Sequence, residues 1–255
     1  MAIFRTSNPA FGDKTFRDLA NSQYGGLADT SRMTLSGTVN KTGILLLCAI
    51  ATASYTWHLF LQAHDLSQVS GLMIGGIFGG FVVAMVTIFK KEWAPVTAPI
   101  YALLEGLALG AVSAAFELRY PGIAIQAVSL TFGTLLVLLM AYRSGLIPVT
   151  QKLRLGVVAA TGGIAVFYLL ELGLGFFGVH FATINGSGPI GIVFSLVVVA
   201  VAALNLVLNF DFVEQGVQQG APKYMEWYGA FGIMVTLVWL YLELLRLLSK
   251  VRSRN

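Results

Sequence analysis

Seven long apolar runs dominate the chain, and they follow about forty polar residues. The runs are Gly43–Leu61, Val69–Phe89, Val96–Phe116, Gly122–Tyr142, Leu155–Phe177, Pro189–Phe210 and Tyr228–Leu248. Each is close to the roughly 20 residues that a helix needs to cross the hydrocarbon of a bilayer. The apolar positions are continuous rather than alternating, which predicts helices rather than strands. A helix also satisfies its own backbone groups in lipid, as an open strand does not. The joins are short, and several carry breakers: Trp93-Ala-Pro95, Tyr120-Pro-Gly122, Gly145-Leu-Ile-Pro148, Gly186-Ser-Gly-Pro189 and Gly220-Ala-Pro222. Such joins predict antiparallel neighbours in one all-α bundle. No internal repeat of the kind that marks two-fold transporters is visible.

The expected division is a polar tail over residues 1–40, a membrane domain over 41–250 and a short basic tail over 251–255. The first tail is rich in Ser, Thr, Asn, Asp and Gly and reads as irregular, with a short interfacial helix around Lys14–Ala20. No cleavable leader is expected, because no apolar stretch lies near Met1. Composition agrees with the pattern: 56% of the 255 residues are hydrophobic and 11% are charged, with mean hydropathy +0.78. A soluble domain would carry about a quarter charged residues. The chain therefore reads as an integral membrane protein whose first partner is the lipid bilayer. Cys48 is the sole cysteine, which excludes an internal disulfide or a cysteine-based metal site.

The net charge of +4 lies mainly at segment ends, so it reads as topology rather than as a nucleic-acid patch. Arg5, Lys14, Arg17, Arg32 and Lys41 make the tail strongly basic and favour a cytoplasmic N-terminus. Lys90 and Lys91 mark the second loop, and Arg143, Lys152 and Arg154 the fourth. Seven crossings then put the C-terminus outside, whereas Arg246, Lys250, Arg252 and Arg254 favour the inside. The reading keeps seven spans. Gly71, Gly75 and Gly79 recur every four residues, as do Gly76 and Gly80, and Gly106 and Gly110. Small residues at that spacing let helix backbones approach closely, and bundle packing is the role adopted here over a homodimer face.

The chemistry lies in the acids. Glu105, Glu171, Asp211 and Glu243 fall in or at the edge of apolar runs, and no Lys or Arg sits in the middle of those runs. A carboxylate at membrane depth is costly, and such a residue is a functional-site candidate by default. The last two runs form a hairpin, so Asp211 and Glu243 are natural partners in one polar pocket. Two carboxylates there cannot both ionise cheaply, so they would share a proton or attract a hard cation such as calcium. Arg246 lies three residues after Glu243, on the same helical face, and an ion pair between them is the competing, structural role. Asp211 and Glu214 would both be solvated if they lie at headgroup level. Asn205 and Asn209, four apart, would bond between helices or line a polar path. Glu105 is a secondary candidate that would line the same cavity, and Glu171 ranks below it as a candidate.

Other chemistry is set aside. Gly173-Leu-Gly-Phe-Phe-Gly178 has the dinucleotide spacing but follows no strand. His58, His64 and His180 lack ligand spacing. Asn185-Gly-Ser187 is a short sequon of a common kind. Intramembrane aspartyl proteolysis would need a Gly-x-Gly-Asp motif, whereas the second acid here lies in Tyr241-Leu-Glu-Leu-Leu245.

The terminal hairpin carries a resemblance. Asn209-Phe-Asp-Phe-Val-Glu-Gln-Gly216, Gly220-Ala-Pro-Lys-Tyr-Met-Glu-Trp-Tyr-Gly229 and Leu240-Tyr-Leu-Glu-Leu-Leu-Arg-Leu-Leu248 resemble the transmembrane Bax inhibitor motif family, bacterial Bax inhibitor-1/YccA-like branch. Ala102-Leu-Leu-Glu-Gly-Leu-Ala-Leu-Gly110 is similar to its glycine-rich third helix, and Arg5-Thr-Ser-Asn-Pro9 to its opening. The resemblance implies a seven-helix bundle with the last helix central. It also implies a pH-sensitive calcium leak built on two aspartates, which fall on Asp211 and Glu243. One aspartate is thus a glutamate here. The family's second helix carries an arginine that latches the acid pair, and Val69–Phe89 has none; Lys90 and Lys91 only follow it. The expected function is a channel-like cation leak, without enzyme chemistry, in the bacterial inner membrane. The alternative is a stress and quality-control protein that modulates membrane proteases or other membrane partners, with Phe4, Phe11, Phe16 and Tyr24 in a docking tail. A proton-coupled carrier is a third possibility that lacks a sequence signature.

Overall fold

The computed structural model describes residues 32–63, 65–178 and 181–254; the expected helix at Lys14–Ala20, the tail aromatics, His64 and His180 lie outside them. Seven helices are long and apolar enough to cross a membrane. They are α1 Leu35–Ala63, α2 Ser67–Phe89, α3 Ala94–Arg119, α4 Ile123–Arg143, α5 Gln151–Gly175, α6 Pro189–Gln218 and α7 Met225–Arg252. A 3-10 turn at Lys91–Trp93 precedes α3, and a single helical turn at Ala182–Asn185 precedes α6. Among the described residues there is no strand, and the chain is an all-α multi-span membrane protein.

Most helices overrun their apolar runs, because polar residues can continue a helix after the hydrocarbon ends. Thr34 caps α1: its hydroxyl accepts from the Gly37 amide at 3.0 Å, satisfying a first-turn donor. The helix therefore starts at Leu35, inside the stretch expected to be tail. Thr150 does the same for α5, accepting from Leu153 at 3.2 Å. At the other end of the chain, α6 runs on to Gln218, so Asp211 lies within the helix rather than where it stops. Gly122, at φ 82°, supplies the left-handed residue that opens α4.

The chain divides into two compact units. The first comprises α1–α3 with residues 209–235; the second comprises α4 and α5 with residues 122–208 and 236–255. Helices α6 and α7 each contribute to both. In the first unit the glycine seams are visible. A Cβ at Gly106 would fall 2.3 Å from the Ala49 carbonyl, and one at Gly110 would fall 2.4 Å from the Ala53 carbonyl. A Cβ at Gly76 would meet the Leu104 carbonyl at 2.6 Å. These positions hold α1 and α2 against α3 at a distance that no larger residue allows. Gly71 and Gly75 face open space, so the packing role falls on only part of the stripe. Phe60, Val69, Ala111 and Ala114 form a buried apolar cluster in this unit, with Trp57, Leu59 and Met73 packed against it. Tyr101 meets the Phe231 ring edge-on at 5.0 Å.

In the second unit Ile164, Val198 and Val201 form the core, with Tyr168, Phe194 and Trp239 packed around them. The apolar window of α7 is 67% buried, against 11–44% for the other spans. The last helix is thus the one most enclosed by protein.

Candidate functional site

Glu243 lies on α7 with 3% of its surface exposed. Its Oε1 accepts from the Tyr168 hydroxyl of α5 at 2.9 Å and from Arg246 at 3.2 Å. The Tyr168 oxygen in turn accepts from Arg246, whose guanidinium also stacks 4.9 Å from the Tyr168 ring centroid. One carboxylate oxygen is therefore held by a phenol and a guanidinium. The other, Oε2, is buried and has no hydrogen-bond partner among the described residues. A buried acceptor left open in this way is destabilising unless a proton, water or cation meets it.

The ion pair with Arg246 that the i, i+3 spacing suggested is formed. Tyr168 was missed, because it is 75 residues away and nothing local marks it.

Asp211 lies on the stretch of α6 that belongs to the first unit, whereas Glu243 belongs to the second. Gln215 donates to Asp211 Oδ2 at 2.7 Å, one turn along the same helix. Glu214 is exposed and accepts from Gln218 at 3.4 Å. Asn205 is buried and bridges α6 to α5, donating to Thr161 at 2.8 Å and to the Val201 carbonyl at 2.9 Å. Asn209 donates to the Gly232 carbonyl of α7 at 3.2 Å. Both asparagines thus make interhelical bonds, one of the two roles open to them. Glu171 accepts from Asn185. Glu105 lies midway along α3, half-buried against Gly80 of α2. Among the described residues no group of three or more His, Cys, Asp and Glu side chains is placed to hold a metal ion.

Two further charged clusters escaped sequence reasoning. Glu226, at the start of α7, is completely buried. It pairs with Lys41 and with Lys223, the latter at 2.8 Å, and accepts from the Thr34 amide and hydroxyl at 2.8 Å each. A Cβ on Gly37 would fall on its carboxyl, so a larger residue there would push that carboxyl aside. Lys250, near the end of α7, is 6% exposed. Its ammonium donates to the Ile184 carbonyl at 2.7 Å, Ser195 Oγ at 2.9 Å and the Gly191 carbonyl at 3.1 Å. Lys250 was read from sequence as one of the C-terminal charges, and Glu226 was not singled out. The i, i+3 spacing of Lys223 and Glu226 was the one local sign of a pair.

A family model described as Bax inhibitor 1 like matches residues 8–253, nearly the whole chain. The chain belongs to the Bax inhibitor 1-like family. The resemblance seen in the terminal hairpin thus extends over all seven helices. Comparison with curated proteins and with solved structures returned no match.

Proposed function

We propose that this member of the Bax inhibitor 1-like family is a pH-sensitive cation leak, with calcium as its ion and Asp211 and Glu243 as its titrating pair. The observation that carries the reading is the divided state of Glu243. One oxygen is held by Tyr168 and Arg246, and the other is buried with no partner among the described residues. An acceptor of that kind is a place for a proton or a passing cation. In this reading Arg246 does from three residues away what an arginine of the second helix does elsewhere in the family. Protonation closes the path; loss of the proton frees a carboxylate that attracts calcium.

The membrane is read as the bacterial inner membrane, with a cytoplasmic N-terminus. On that reading, seven alternating crossings would put Lys90, Lys91, Arg143, Lys152, Arg154 and Lys223 on the side of the tail. The opposing C-terminal charges weigh less, since Arg246 pairs with Glu243 and Lys250 is engaged by three oxygens.

The test is calcium flux into proteoliposomes across pH, beside the Asp211→Asn/Glu243→Gln double variant. A pH-dependent flux that the variant loses or locks supports the gate. An unchanged pH response sinks it, and no flux at any pH sinks the leak itself. Removal of residues 2–30 separates this reading from the partner-binding alternative, and it leaves the Thr34–Glu226 bonds in place. Loss of partner capture with the leak intact would favour the alternative.

A further inference from the structure

Glu105 stands apart from the proposed gate. It is the twelfth of the 26 residues of α3, near the middle of a helix long and apolar enough to cross a membrane. Its Oε2 is the atom nearest to a Cβ built on Gly80, at 2.9 Å, with Tyr101 and Leu104 carbons next at 4.0 Å. The carboxyl thus lies across the buried Gly76–Gly80 face of α2. Among the described residues it has no hydrogen bond and no ion pair, and no charged side chain acts on it. Helix α2 has no titratable residue between Ser67 and Phe89. Helix α1 carries Lys41, Cys48, Tyr55 and His58, and residues 209–235 carry Asp211, Glu214, Lys223, Tyr224, Glu226 and Tyr228. The titratable neighbour that feels Glu105 is Tyr101, itself buried. Ile77 and Phe81 of α2 and Leu103 of α3 are exposed beside this seam, so its surroundings are apolar.

A carboxylate without a counter-charge costs many kcal/mol in hydrocarbon, and such a group neutralises itself by keeping its proton. We propose that Glu105 is a second proton-binding site, held as the neutral acid against the glycine face of α2 and open to apolar reagents from the lipid. Losing that proton would leave a bare charge against Gly80, so ionisation must admit water to the α2–α3 seam or part it.

A hydrophobic carbodiimide reads this state directly. The acid proton passes to one carbodiimide nitrogen and the carboxyl oxygen adds to the central carbon. The resulting O-acylisourea rearranges by acyl shift to a stable N-acylurea. Nothing leaves, so the peptide gains the whole mass of the reagent.

The experiment treats the full chain in proteoliposomes with dicyclohexylcarbodiimide from acid to alkaline pH and maps the adduct by mass spectrometry. The expected result is an adduct on Glu105 that is lost in Glu105→Gln and retained in the Asp211→Asn/Glu243→Gln variant. Beyond its ionisation, labelling should fall about tenfold per pH unit, following the protonated fraction. A water-soluble carbodiimide should leave Glu105 unmodified. An unmodified Glu105 at every pH, or equal modification by the water-soluble reagent, overturns the proposal. Mapping in the wild-type chain decides the matter even if Glu105→Gln fails to fold. Retention of the adduct in the double variant separates this outcome from the fate of the gate.

Discussion

Helix α7 carries two buried glutamates, and they are satisfied to very different degrees. Glu226, in the first unit, meets two lysines and both donors of Thr34. Glu243, in the second, has one oxygen bound by Tyr168 and Arg246 and the other open among the described residues. The same side chain on the same helix is a closed structural clasp in one place and an unfinished polar site in the other. A fully partnered acid has little to gain from a proton or a metal ion. A half-partnered one does, which is why the functional reading rests on Glu243.

The comparison breaks most visibly if the clasp is removed. Glu226→Ala leaves Lys41, Lys223 and Thr34 without their acceptor and should cost about 3–5 kcal/mol, the usual cost of breaking a buried ion pair. Thermal unfolding in detergent measures it; a change within error would mean that the clasp is not structural. Gly37→Ala attacks the same clasp through space, since its methyl group would overlap the Glu226 carboxyl. The expected loss is about 1–3 kcal/mol, and the two variants together should cost less than the sum, because they share one contact. At the other glutamate, Tyr168→Phe removes the hydroxyl between Arg246 and Glu243 and should cost about 1–2 kcal/mol. Its sharper readout is the midpoint of the pH dependence of flux, which should move while the fold persists.

A third acid calibrates both. Asp65, exposed in the loop before α2, accepts from the Ser67 hydroxyl and amide, which hold its carboxyl below the usual range. A lowered folded value adds stability at pH above the unfolded value, and that stability is lost as pH falls through the folded one. Ser67→Ala should lower stability slightly at neutral pH and converge with the parent chain as pH falls, so that this acid limb flattens in a pH series of melts.

The spans were legible because hydrocarbon demands long apolar runs, and each of the seven lies within or nearly within its helix. The ends were less so. Hydropathy registers where lipid stops, not where hydrogen bonding stops, so α1 begins eight residues before its apolar run and α6 carries Asp211 inside it. Glu243 and Arg246 could be paired from spacing alone, since three residues bring side chains to one face of a helix. Tyr168, Lys41 and the oxygens around Lys250 could not, because their partners lie 55 to 185 residues away. Lys250 in particular resembled any interfacial lysine until three acceptors were found around it.

The root of the N-terminal tail has a mechanical consequence. Arg32 forms an antiparallel bridge with Pro222, and the Met33 amide donates to the Ala221 carbonyl at 2.7 Å, just before Thr34 reaches Glu226. A pull on the residues ahead of Arg32 therefore loads the turn into α7 before it strains the hydrocarbon-spanning part of α1. The tail is a handle whose first point of purchase is the start of the most enclosed helix, and force applied there would be felt as shear on one backbone rung and one buried carboxylate.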